Sequence, residues 1–170
     1  GARGLHEQAL AMRQRLYEGD HPAVAGSLDH LGNDLRELGE VRRARELHEQ
    51  TLAMRRRLFG EDVDVVDIAW SLNHLAADLR ELGQFERALD LDQQALTIFE
   101  RLYDQDHPDI ASCLKSLAVD LRELGDVERA EPLSRDLLER AAGDVRTEHF
   151  AYHFLADCAL IRGDTEQAEL

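Results

Sequence analysis

Lysine is almost missing from this chain: of 20 basic residues, only Lys115 is not arginine. Against them stand 35 acidic residues, for a formal net charge of −15. A surface of that sign repels phosphate backbones, so nucleic acid is excluded as the expected partner. The arginine bias, with abundant alanine, reads as a high-GC bacterial codon signature rather than a binding device. Aromatic residues are also scarce, and leucine and alanine make up most of the apolar content, a mixture suited to packed helices. The three prolines, Pro22, Pro108 and Pro132, leave long stretches free of breakers. Two cysteines, Cys113 and Cys158, stand 45 residues apart in equivalent-looking helices, which reads as two buried thiols in a reducing cytoplasm rather than a disulfide framework. No window approaches the roughly 18 apolar residues of a membrane span, and no signal-peptide pattern precedes the first helical segment. Gly1 is not a natural start and Leu170 falls inside a helical pattern, so the chain reads as a piece of something longer.

Chemistry is missing as well. There is no glycine-rich phosphate loop and no HExxH, and no nucleophile stands with a base and an orienting acid at a recognisable spacing. The expectation is a non-enzyme that needs no cofactor.

What the chain has is repetition. DLRELG occurs at 34–39, 78–83 and 120–125, so Gly39, Gly83 and Gly125 are 44 and 42 residues apart, and Gly163 follows 38 later. Ahead of each glycine runs a leucine ladder: 28, 31, 35 and 38, then 72, 75, 79 and 82, then 114, 117, 121 and 124. Spacings of three, four and three put each ladder on one helical stripe, which predicts these leucines as core. The glycines suit a left-handed helix end. In DHP at 20–22 and 106–108, Asp can cap the helix and Pro fill its first turn, leaving His21 and His107 as turn residues. The second copy lacks this Pro and carries two extra residues around Glu61–Asp64. Alanines recur after each glycine at Ala44, Ala88, Ala130 and Ala168, on second helices such as LHEQTLAMRRRLF (47–59), which LHEQALAMRQRLY (5–17) closely matches.

The core pattern Leu28-x2-Leu31-Gly32-x2-Leu35…Ala44 recurs from Leu72, with Ala76, and from Leu114, with Ala118. A weaker copy starts at Tyr152, with Leu155, Ala156 and Ala168. This resembles the tetratricopeptide repeat, with leucines where that family has aromatics. The period of about 42, instead of 34, is similar to the kinesin light-chain type, also found in bacterial signalling proteins that join such arrays to NB-ARC-type ATPase domains. The resemblance implies an all-α, right-handed superhelical solenoid of antiparallel helix hairpins. It spans 1–170 as one array: 1–18 as the second helix of a preceding repeat, then repeats at 20–60, 61–104 and 105–142, and a truncated one at 145–170.

In such arrays the first helices line a concave groove that holds a protein or extended peptide segment. On a helical wheel the face opposite the ladder carries Gly26, Asp29, Asn33, Arg36 and Glu37 in the first repeat, and Trp70, Asn73, Ala77, Arg80 and Glu81 in the second. The third has Ser112, Lys115, Val119, Arg122 and Glu123, and the fourth Phe150, His153, Asp157 and Leu160. Trp70 and Phe150 read as aromatic anchors. Arg36, Arg80 and Arg122 form a column that can take acidic side chains bidentately, set against local neutralisation by Glu37, Glu81 and Glu123. Asn33 and Asn73 suit hydrogen bonding to an extended backbone. The Lys/Asn clamp of chaperone-binding members is unmatched, because its lysine position holds Asp29, Asn73 and Lys115. His149, His153 and Asp157 share one helical face at metal-ligand spacing, weighed against a plain polar groove wall. His30/Asp34 and His74/Asp78 repeat an i, i+4 pair that reads as a weak surface interaction. The reading that results is a cytoplasmic binding scaffold; the alternatives are a sensor array of a larger signalling ATPase and self-association through uncapped ends.

Overall fold

In the computed structural model, residues 2–60, 65–140 and 144–163 are described. Ala168 and the insertion around Glu61–Asp64 lie outside them. Among the described residues the chain is all helical: α1 (Ala2–Leu16), α2 (Pro22–Glu37), α3 (Val41–Phe59), α4 (Val66–Glu81), α5 (Phe85–Leu102), α6 (Pro108–Glu123), α7 (Val127–Arg140) and α8 (Val145–Arg162). Two compact units divide them, residues 1–84 with α1–α4 and residues 85–170 with α5–α8. In the first unit each helix packs on the next and α2 also touches α4; in the second the same holds, with α6 touching α8. Both are sequential helix hairpins.

The starts of α2 and α6 differ in detail from the sequence expectation. Their caps are His21 and His107, not the preceding aspartates. Each imidazole Nδ1 accepts a hydrogen bond from the main-chain N–H two residues on, at 3.1 Å from Ala23 and 3.3 Å from Asp109. This satisfies one of the N–H groups a helix start leaves without a partner. The cap rings are held by stacking on Tyr17 and Tyr103, with centroids 3.5 Å and 3.6 Å apart. Pro22 and Pro108 fill the first helical position, where a missing N–H costs nothing.

DLRELG is a helix stop. The N–H of Gly39 donates to the Arg36 carbonyl and that of Glu40 to the Leu35 carbonyl, both at 2.9 Å, and Gly39 sits at φ +77°. The same pair of bonds closes α4 through Gly83 and Gln84 and α6 through Gly125 and Asp126. Two carbonyls at the end of each helix are thereby satisfied, and the left-handed residue is the one without a Cβ penalty.

The ladders are buried through their first three members in every copy. Leu38 is a correction: it is 60% exposed rather than core. It is the C-cap residue, where the helical twist has ended, and Leu82 and Leu124 at the same place are only half-buried. Ala44, Ala88 and Ala130 are fully buried, at points where any longer side chain would hold the helices apart.

Candidate functional site

The outward faces of α2 and α4 belong to the first unit. Asn33 Oδ1 accepts from Arg36 Nη2 at 2.9 Å. The other end of Arg36 reaches α4, donating to the His74 carbonyl at 3.3 Å and lying 3.5 Å from Asp78 Oδ1. Arg36 therefore ties two first helices together, and its charge is answered by Asp78 rather than by the adjacent Glu37. Trp70 is half-buried, its ring centroid 5.8 Å from that of His74. Asn73, Ala77 and Arg80 follow along α4, also half-buried.

In the second unit, Lys115 Nζ donates to Thr147 Oγ1 at 2.6 Å and lies 5.8 Å from the Phe150 ring centroid. Phe150 and Val119 pack against the core around Ala118, Leu121 and Phe154, so this aromatic belongs partly to the core rim. Arg122 donates to Asp157 on α8 at 3.1 Å and to Glu123 at 3.0 Å, with its guanidinium 5.0 Å over the Phe154 ring. His149 and His153 meet edge to face at 4.4 Å, both exposed, while Asp157 is engaged by Arg122.

Asp29 departs from its expected place on the outward face: it is buried, at 7% exposure. The i, i+4 pairs His30/Asp34 and His74/Asp78 do not form either. Each aspartate turns instead to a second helix of the preceding hairpin: His6 Nδ1 meets Asp34 Oδ2 and His48 Nδ1 meets Asp78 Oδ2, both at 2.5 Å. His74 Nδ1 meets Asp29 Oδ1 at 3.0 Å, and His48 Nε2 faces the Asp29 main-chain oxygen at 3.4 Å. One donor atom from each of Asp29, His48 and His74 converges within 4.8 Å. This cluster, buried at Asp29 and His48 and half-buried at His74, joins α2, α3 and α4. Burial pushes the Asp29 carboxyl up, but the hydrogen bond and charge of His74, with the charges of Arg55 and His48, outweigh it and hold the group below its ordinary range. Sequence reading missed the cluster because its members are 19 and 26 residues apart on three helices. A signal was present, since His6 and His48 hold the same place in the repeated LHEQ.

The tetratricopeptide repeat family matches the chain over residues 1–57 and 67–143. The chain belongs to the tetratricopeptide repeat family. Solved structures with the same fold include a Podosopora anserina protein described as a kinesin light chain of nearly identical TPR-like repeats, at 23% identity and TM-score 0.84 over 98% of this chain and 80% of that one. BtubC (BKLC) from P. vanneervenii is 25% identical, with TM-score 0.87 over 99% of this chain and 68% of its own. The apo form of RapI is 20% identical, with TM-score 0.76 over 96% of this chain and 43% of RapI. Among curated proteins, none matches this sequence. Tetratricopeptide repeats serve in general as protein-interaction scaffolds and are typically not catalytic. No described helix is long and apolar enough to cross a membrane.

The tetratricopeptide pattern also explains Gly32. It stands at the close-contact position of the repeat, where the other copies have Ala76, Ala118 and Ala156. A Cβ on Gly32 would lie 2.4 Å from His48 Nε2, so the imidazole occupies the space of the missing methyl.

Proposed function

We propose that the chain is a binding scaffold that holds a protein or extended peptide segment on the outward face of its first helices. The observation that carries this is the contrast between two faces of the same helices. The first three ladder positions are leucine and buried in each of the three full copies. Equivalent outward positions differ from copy to copy: Gly26, Trp70, Ser112 and Phe150; Asn73, Lys115 and His153; Asn33, Ala77, Val119 and Asp157. Packing does not require such variety, whereas reading different parts of an extended ligand does. Within the first unit the proposed contact surface is Trp70 with Asn73, Ala77 and Arg80. A half-buried indole supplies the apolar anchor, and the neighbouring amide supplies backbone hydrogen bonds. Arg36 and Arg122 contribute by holding successive first helices in register. In a finer form of this reading, the array is the regulatory segment of a larger bacterial signalling ATPase, and occupancy of this face gates the attached domain.

The test is selection from a displayed random-peptide library. The wild-type chain is expected to enrich a related set of sequences. Their affinity should fall at least tenfold in a Trp70→Ala/Asn73→Ala variant whose thermal melt is unchanged. Failure to enrich, or equal binding by both proteins, refutes the reading.

A second reading rests on α1, where Leu5, Met12 and Leu16 form one stripe, each more than half exposed. There the surface is self-association, and concentration-dependent mass in sedimentation, lost in a Leu5→Glu/Met12→Glu variant, is its signature.

A further inference from the structure

We propose that Asp29, His48 and His74 bind one divalent transition-metal ion of the zinc type, clamping α2, α3 and α4 of the first unit. The donor set is two imidazoles and a carboxylate, chemistry suited to zinc and its neighbours rather than to magnesium or calcium. With bonds of about 2.0–2.2 Å, tetrahedral ligand atoms stand roughly 3.3 Å apart. Asp29 Oδ1 and His74 Nδ1 are 3.0 Å apart, and one donor from each of the three residues lies within 4.8 Å of the others. Small adjustments of the Asp29 and His74 side chains reach the required spacing, and a water completes the shell.

Two linked features of His48 point to a cation there. The first is the partner of His48. Its Nδ1 meets Asp78 Oδ2 at 2.5 Å, and both side chains are fully buried. Metal-binding histidines commonly donate the second ring N–H to a carboxylate, which fixes the tautomer and aims the other nitrogen. The second feature is that other nitrogen. In the tautomer that gives Nδ1–H to Asp78, the Nε2 lone pair faces the Asp29 main-chain oxygen, itself an acceptor, at 3.4 Å. A neutral ring in this setting has two acceptors face to face, and a positive charge between them resolves the conflict. A metal ion bound to Nε2 supplies that charge.

Arg55 opposes the site, with Nη1 3.8 Å from Asp29 Oδ1. That guanidinium is held elsewhere, however, by Ser71 Oγ at 2.6 Å and the Asp67 carbonyl at 2.9 Å. Its counterpart Arg13 makes the same contacts with Ser27 and the Ala23 carbonyl. Arg55 is therefore part of the repeat's own framework rather than the partner Asp29 needs. Elsewhere the pattern is incomplete. His6 and His30 stack at 5.5 Å, much as His48 and His74 approach at 5.4 Å. In the third copy, Asp92 and Ser116 replace the two histidines. Among these positions, two imidazoles and a carboxylate come together at one junction.

The experiment uses the tag-free chain, stripped with chelator and titrated with zinc, with cobalt absorbance as a report of coordination. The expected result is one equivalent bound, tetrahedral cobalt bands, and a zinc-dependent rise in melting temperature. His74→Gln should remove all three, while Asp78→Asn should weaken binding about 10- to 100-fold. His149→Gln/His153→Gln should leave them unchanged. Absence of stoichiometric binding overturns the proposal. Binding that survives in His74→Gln overturns it too, as does binding lost with the His149/His153 pair.

Discussion

Replacing Gly32 with alanine tests the packing argument most sharply, because helix propensity and packing predict opposite signs. Gly32 lies inside α2 with ordinary helical geometry. Propensity alone makes Gly→Ala in a helix interior favourable by about 1 kcal/mol. Against this, the new methyl would stand 2.4, 2.8 and 2.9 Å from Nε2, Cδ2 and Cε1 of His48. Ordinary carbon contacts begin near 3.5 Å, so the ring must retreat by about 1 Å. The imidazole has no slack, being fully buried with Nδ1 on Asp78 Oδ2 at 2.5 Å. A shift of that size takes the pair past hydrogen-bonding range. It strips a buried carboxylate whose other oxygen, Oδ1, already accepts no hydrogen bond. Overpacking costs about 1–3 kcal/mol, and breaking a buried pair costs about 3–5 kcal/mol if nothing replaces it. Partial relaxation, with Arg36 moving toward Asp78, lowers that sum. A net loss of about 2 kcal/mol remains after the propensity gain is subtracted.

Urea unfolding followed by Trp70 fluorescence measures this. Trp70 is the sole tryptophan and belongs to the same unit as Gly32. Gly26→Ala is the control: it is in the same helix, nothing lies within 4 Å of its added Cβ, and it should gain up to about 1 kcal/mol. In a His48→Ser background, copying the Ser134 that stands opposite Ala118 in the third copy's register, the Gly32→Ala penalty should vanish. An unchanged or raised midpoint for Gly32→Ala alone refutes the account.

Two further predictions concern the ladder and the thiols. Leu35→Ala should cost about 2–5 kcal/mol, whereas Leu38→Ala, three residues on in the same DLRELG, should fall within about 0.5 kcal/mol of wild type in the same unfolding assay. Cys113 and Cys158 are buried, and burial, reinforced by the nearby Glu131 charge, pushes the Cys158 thiol above its ordinary value. Both should resist a disulfide exchange reagent at pH 8 in the native state and react within the dead time in urea; fast native labelling contradicts the packing.

The fold was legible because each of its rules is local. A ladder of leucines at three and four spells a buried stripe, and Leu35, Gly39 and Glu40 are close enough along the chain for the helix stop to be read from DLRELG itself. Leu38 failed the same rule because periodicity does not record where the helical twist ends. The cap histidines were legible as position and not as role, since the aspartates beside them have the stronger cap propensity. It is the Tyr17 and Tyr103 rings that hold the imidazoles in place.

The buried polar network was not legible from periodicity, because a helical wheel assigns a face and not a partner. The first letter of DLRELG looked like a flank residue able to pair with the histidine one turn earlier. In the fold, Asp34 and Asp78 turn away from that neighbour to histidines 28 and 30 residues upstream. The repeat itself contains the information needed to find this, in the form of substitutions that travel together. Where the second helix offers His48, the facing first-helix position is Gly32; where it offers Ser134, that position is Ala118. A ring and a missing methyl trade volume across one helical contact. Comparing a chain with its own repeats therefore reveals contacts that no single window of its sequence contains.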